Sequence, residues 1–411
     1  MRIVNASNRA AIAALAARDE ARRPAIERQA ARIIRDVRRR GDVAVRDWTR
    51  RLDGRSAPIR PVSAAALRRG WEKTPRDVRR AIAQAVAHLE RVSQKQVPRG
   101  FSVTVTPGLR IEQRVQPLAR VGCYVPGGRY PLPSTLLMTV VPARVAGVSE
   151  IVVVCPRPAP VVMAAALEAG ASELYAIGGA QAVAALAYGT RAIARVDKIV
   201  GPGNAWVAAA KAQVSRDCAI DLHAGPSEIV IWSNRGRAEW IAADLIAQAE
   251  HDPAARAIFV TTKASLARQV AREVDRQMPK TGPARVSIAR NGAVVVALNR
   301  KTALAIVNHL APEHLVVDTT ADADVVRTAG TVFVGPWSAQ AAGDYGTGSN
   351  HVLPTGGAGR FRGGLSAADF VRVFNVQTLT QTGIRGIGRS VVTLAEAEGL
   401  EAHAQSVRLR L

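Results

Sequence analysis

The side chains with the most chemistry to offer are scattered over the second half of the chain. Gln248 and His251 stand three apart near the end of WIAADLIAQAEH, whose helical spacing puts them on one face. Glu313 and His314 adjoin at the start of a strand-like run, Asp344 and His351 flank a glycine-rich stretch, and Glu398 and His403 lie in the tail. Taken singly, each histidine is read more readily as a surface or hydrogen-bonded residue than as a ligand. Taken together, His, Asp and Gln form a hard-to-borderline donor set that suits zinc or manganese. Sequence spacing leaves open whether they converge, and glutamine is an uncommon zinc ligand.

A second kind of chemistry is written in glycine. Tyr124-Val-Pro-Gly-Gly128, Gly178-Gly-Ala-Gln181 and Gly201-Pro-Gly-Asn204 each follow a strand-like run. Ligands of open α/β sheets sit at the carboxyl ends of strands. Glycine there permits close backbone approach, and the helix that follows offers free N–H groups to a phosphate. No G-x-G-x-x-G follows the first strand, and turn formation alone accounts for any one such loop. Three in successive units point to a nucleotide.

The elements that must position these residues alternate. RVGCYV (120–125), EIVVVC (150–155), ELYAI (173–177), DKIV (197–200) and EIVIW (228–232) read as buried strands, with Ala-, Leu- and Val-rich helical segments between them. The pattern resumes with WIAADLIAQAEH, AIFVTT, SLARQVAREVDRQM, GAVVVAL, TALAIVNHL, HLVVDT and TVFVG. This predicts two parallel, doubly wound α/β units after a helical lead-in over residues 1–100. Residues 335–365 read as a long loop, a length that usually signals function or disorder, and a helical tail closes the chain.

Composition narrows the function classes. With 411 residues, 48% of them hydrophobic, the chain can bury a large core. No apolar run approaches the roughly 20 residues needed to span a bilayer. The first residues lack a compact apolar segment, which predicts a cytoplasmic protein without a secretory signal. Three cysteines, Cys123, Cys155 and Cys218, do not make a disulfide framework, and Cys123 and Cys155 read as small core residues rather than aldehyde-trapping nucleophiles. The net charge of +23 raises a nucleic-acid partner, but aromatics are only 4% and do not interleave with the arginines. The charge is read as a solvated face.

From about residue 20 to the C-terminus the chain resembles the histidinol dehydrogenase family. YVPGG, GGAQAVAALAYGT, KIVGPGNAWVAAAK, AGPSE, AADLIAQAEHDP, APEHL, GDYGTGSNHVLPT and EGLEAH carry the resemblance in order and spacing. It implies an α/β fold of two incomplete Rossmann-like doubly wound domains with helical N- and C-terminal arms. The arms are residues 1–20 and 366–411, the latter exchanged across a homodimer. The first domain is discontinuous, 21–120 and 228–365, and holds the metal and acid–base residues; the second, 121–227, is the NAD side.

The resemblance further implies one Zn2+ per subunit on Gln248, His251, Asp344 and His403. It makes Glu313 and His314 the acid–base pair and sets Tyr124, Gln181 and Asn204 along NAD. It puts Ser227, His351 and Glu398 on the substrate, with Gln248, His251, His314, Asp344 and His403 also touching it. Two departures stand out: His223 ahead of AGPSE, and Arg129 after the YVPGG glycines, an arginine also frequent in a related branch acting on small, sulfonated diols. The full motif set favours histidinol. Gly399 interrupts the tail between Glu398 and His403.

Overall fold

The computed structural model describes residues 1–17, 24–54, 58–128, 130–222 and 225–411; Arg129 and His223 lie outside this set. The strands run β1 (Ile3–Asn5), β2 (Phe101–Thr106), β3 (Leu109–Pro117), β4 (Arg120–Tyr124), β5 (Glu150–Val154), β6 (Glu173–Tyr175) and β7 (Lys198–Val200). They continue as β8 (Ala219–Ile220), β9 (Glu228–Trp232), β10 (Arg256–Thr261), β11 (Ala293–Val296), β12 (His314–Val317), β13 (Thr331–Val334) and β14 (Val371–Leu379).

Among the described residues these strands make three sheets. A five-stranded parallel sheet has the order β6-β5-β4-β7-β8, and a six-stranded parallel sheet the order β1-β11-β10-β9-β12-β13. Leaving aside β1 at the edge, the two orders are the same: three strands wind outward one way, then the chain returns to the first strand and winds the other. Each sheet therefore has a switch point beside its first strand, between β4 and β7 in one and between β9 and β12 in the other. The strands read as continuous apolar runs because both faces are covered; Glu228–Trp232 is buried throughout.

Among the described residues the lead-in is mainly helical, as expected, but its first few residues are not. Ile3–Asn5 is a strand, paired in parallel with β11 at Val294–Val296. The helices Pro24–Arg40, Ala64–Lys73 and Arg76–Gln96 pack against Gly179–Tyr188 and Ala205–Val214, Pro160–Ala169, and Pro133–Val145 respectively. The lead-in thus sits on the unit formed by 121–227, whereas the resemblance groups 21–120 with 228–365. The physical reason is visible in the inner helices. Gly179–Tyr188 and Pro133–Val145 are apolar on all sides and buried almost throughout, so they need a cover on the face turned away from the sheet. The amphipathic, arginine-rich lead-in supplies it through Ile33, Ile34, Val37, Val86 and Leu89.

The third sheet, antiparallel β2-β3-β14, ties the tail to residues 101–117, with Val371 opposite Pro117 and Leu379 opposite Leu109. The tail is therefore a strand followed by the helices Gln381–Ala397 and Glu401–Arg408, and Gly399, at φ +74°, makes the break between them. Apolar side chains of this region stand in solvent in a single chain: Val105 is 60% exposed, Leu394 65% and Leu409 75%. No helix among the described residues is long and apolar enough to cross a membrane.

Candidate active site

The acid–base candidates, Glu313 and His314, lie at the amino end of β12, beside the amino end of β9; these are the two strands at the switch point of the six-stranded sheet. The helix Arg300–Leu310 ends at Ala311, whose φ of +46° is left-handed without being glycine, and Pro312 then sends the chain into Glu313. His314 lies opposite Ile229 across the ladder, next to Glu228. The backbone of Glu228 addresses both candidates. Its N–H donates to Glu313 Oε2 at 2.8 Å, and its carbonyl lies 3.1 Å from His314 Nδ1.

A carbonyl can only accept, so His314 carries its proton on Nδ1 and presents Nε2 as a lone pair. Burial, the largest effect, pulls its pKa down to about 4 and keeps the ring neutral. Nε2 lies 3.9 Å from Asp344 Oδ1, and the ring stacks on Phe333. Burial also holds the Glu313 carboxyl well above the usual carboxylate range; the negative charges of Glu228 and Asp344 add to this, and the Glu228 N–H and Ser227 oppose it.

Asp344 projects from Gln340–Tyr345, a helix inside the stretch expected to be loop. Gln340 Nε2 donates to its Oδ2 at 3.0 Å. His351 Nδ1 donates to the Asp344 carbonyl at 3.1 Å, and His251 Nδ1 faces the carbonyls of Ala247 and Gln248 at 3.2 Å. All three histidines are thus turned by backbone carbonyls so that Nε2 is the free nitrogen, the arrangement that suits ligation or proton acceptance. Gln248 is fully buried, yet neither atom of its amide has a hydrogen-bond partner. A buried, unsatisfied amide oxygen three positions before an imidazole fits a divalent cation that takes mixed O and N donors.

His403 and Glu398 do not join this group within one chain. Both are exposed on the terminal helical segment. Among the described residues of one chain, no three His, Cys, Asp or Glu side chains gather at metal-binding spacing.

The glycine loops lie at the carboxyl ends of β4, β6 and β7. Tyr124 ends β4, buried, and its hydroxyl accepts from Gly179 N–H at 3.0 Å; burial pushes its pKa up to about 12. Gln181 is 1% exposed with neither amide atom partnered, a second buried orphan amide. Asn204 caps the helix Ala205–Val214, accepting from Trp206 and Val207 N–H at 3.1 and 3.2 Å, and is itself exposed. Glycine loops, a helix N-terminus and an unsatisfied buried amide fit a dinucleotide.

The sequence model of histidinol dehydrogenase matches residues 16–411. The chain belongs to the histidinol dehydrogenase family. It is 44% identical over 392 residues to the histidinol dehydrogenase of Methanothermobacter thermautotrophicus, covering 92% of each chain. It is 43% identical over 416 residues to that of Geobacter sulfurreducens, covering 98% of this chain and 97% of that one. The structure superposes on the crystal structure of histidinol dehydrogenase from Elizabethkingia anophelis with a TM-score of 0.95 at 30% identity, over 100% of this chain and 98% of that one.

Within this histidinol dehydrogenase fold the cysteines are buried. Burial pushes the thiol of Cys123 up to about 12 and those of Cys155 and Cys218 to about 11, so none is a ready nucleophile. Sequence reasoning passed over Glu228, whose main chain holds the acid–base pair, and Gln340, which orients Asp344. Glu228 sits inside the quoted AGPSE motif, but a main-chain role leaves no mark in side-chain chemistry. Gln340 lies four positions before Asp344 on one helix face, a signal hidden because 335–365 reads as loop.

Proposed function

We propose that this chain catalyses the last step of histidine biosynthesis, the NAD-dependent four-electron oxidation of L-histidinol through L-histidinal to L-histidine, in the cytoplasm. The observation that carries the reading is the neutral, Nδ1-tethered His314 beside a buried Glu313, within reach of Asp344, in a chain of this family. Gln248, His251 and Asp344 would hold zinc, with His403 from a second copy as the fourth ligand. Tyr124, Gln181 and Asn204 would line NAD, and Ser227, His351 and Glu398 the substrate. The apolar surface of the tail and β2 supports a homodimer with exchanged arms and shared sites. Zinc, when bound, supplies a Lewis-acidic template for the substrate's amine and imidazole nitrogens, and NAD supplies the acceptor for each hydride.

The chain's own residues move the protons. His314 takes the hydroxyl proton at Nε2 as the carbinol carbon loses hydride, and the C–O bond becomes a carbonyl. The aldehyde stays in the same oriented site. Glu313, ionised, takes a proton from water while the water oxygen bonds to the aldehyde carbon. The resulting gem-diolate loses a second hydride and its remaining hydroxyl proton to leave the carboxylate. A carboxyl whose pKa burial has raised is, once ionised, a stronger base than an exposed one.

NADH formation is the test, with L-histidinol compared against a simple and a sulfonated diol, before and after chelation verified by elemental analysis. Histidinol should yield two NADH per molecule, and metal-free protein should yield none. A higher kcat/KM for either diol, or full turnover without metal, overturns the reading.

A further inference from the structure

The loop that ends β7 is fastened by a charge pair with no part in the chemistry above. Lys211, on the helix Ala205–Val214, and Asp221, just after β8, are an ion pair with side chains 3% and 0% exposed. Both ends of the pair address the backbone of one residue, Gly201. Asp221 Oδ2 accepts the Gly201 N–H at 2.7 Å, and Lys211 Nζ donates to the Gly201 carbonyl at 2.8 Å. Asp221 Oδ1 takes Lys211 and the Leu222 N–H, the latter at 2.6 Å. Gly201 has φ +107°, and a Cβ there would run into the Tyr124 carbonyl.

We infer that Lys211 and Asp221 are positioning residues for the cofactor: together they hold the Gly201–Asn204 turn against the end of β4, so that Asn204 and Tyr124 face one ligand. This rests on the NAD reading above. Burying two charges costs desolvation, and a hydrophobic pair of similar size would fill the same space without that cost. A buried ion pair therefore makes a weak stabiliser and a strong orienter, since its direction matters. Here it grips the donor and the acceptor of Gly201, a residue free to take many backbone conformations, and so fixes one of them. It also ties the end of β7 to the end of β8. The sequence conceals this: Lys211 reads as an ordinary helix residue ten positions after Gly201.

The experiment uses full-length Lys211→Gln, Asp221→Asn and the double variant, in which no lone charge is left buried. Affinity for NADH by titration calorimetry, affinity for L-histidinol on the zinc-loaded protein, and thermal midpoint are measured for each. In every variant that folds, NADH affinity should fall about tenfold or more while histidinol affinity stays within about twofold, and Lys211→Arg should restore part of the loss. A folded double variant with NADH affinity within twofold of the parent overturns the inference, as does an equal loss for both ligands. If the parent itself binds no NADH, the cofactor reading fails first and this inference with it.

Discussion

The two parallel sheets share a strand order but work from opposite ends. The five-stranded sheet offers the carboxyl ends of β4, β6 and β7, where Tyr124, Gly178–Gln181 and Gly201–Asn204 lie. The six-stranded sheet offers the amino ends of β9 and β12, where Ser227, Glu228, Glu313 and His314 lie. The difference follows from what each end presents. A carboxyl end is followed by a helix N-terminus, whose free N–H groups suit an anion. An amino end here presents the N–H and C=O of Glu228, which fix a carboxyl and select an imidazole tautomer.

The six-stranded sheet has a carboxyl-end crevice too, but its own polar groups fill it. Asp318 accepts from the Ser233 hydroxyl at 2.5 Å and the Asn234 N–H at 2.8 Å, and Asn234 Oδ1 accepts from Thr261 and from the Thr262 N–H, both at 2.8 Å. A switch point is therefore an opportunity rather than a site, and the residues of the loops decide whether it is used.

The sharpest break of the comparison is within the amino-end pair. His314→Asn should lower histidinol oxidation by about 10²–10⁴-fold, the usual worth of a general base, with a smaller loss on histidinal. Glu313→Gln should show the reverse bias. Steady-state NADH formation with each substrate separates the two, and equal defects in both half-reactions would end the division of roles.

The amino-end site should also need a second chain, whereas the carboxyl-end site should not. Mixing inactive His403→Asn and Asp344→Asn under subunit exchange makes about half the dimers mixed, each with one intact site, so roughly a quarter of parental activity should return. No recovery, with exchange confirmed by mass spectrometry, places each site within one chain.

On the carboxyl-end side, Gly179 has φ +67°, and a Cβ would stand 2.6 Å from Gln181 Oε1. Strain of about 1–3 kcal/mol there should raise KM for NAD by about tenfold or more in Gly179→Ala, with KM for histidinol unchanged. The smallest effect on activity should come from the filled crevice. Asp318→Ala should cost about 1–3 kcal/mol in denaturant unfolding, through lost hydrogen bonds, and leave kcat/KM within about twofold. A large fall in kcat/KM would mean that the second switch point is in use after all.

Much of this was legible before the structure. Runs such as GCYV, IVVV and IVIW are long enough and apolar enough to be nothing but doubly covered strands, and the helices between them show in their Ala/Leu content. The family motifs supplied the candidate site residues. Strands β1, β2, β3 and β14 were not legible, since Ile3–Asn5 is short and Phe101–Pro117 is largely exposed, leaving no burial pattern to read.

What the sequence by itself determined is the local part: alternating α/β units, glycine turns at strand ends, a helix break at Gly399, and which side chains carry donor atoms. Periodicity encodes burial, and burial is a property of each segment. Only the tertiary structure decided the rest. It set the lead-in helices on the 121–227 unit, paired residues 101–117 with 371–379, and tied three histidines to carbonyls through Nδ1. It also left His403 exposed on the last helix of a single chain. Each of these is a pairing between distant segments, and a pairing depends on which surfaces are left uncovered once every other element is in place.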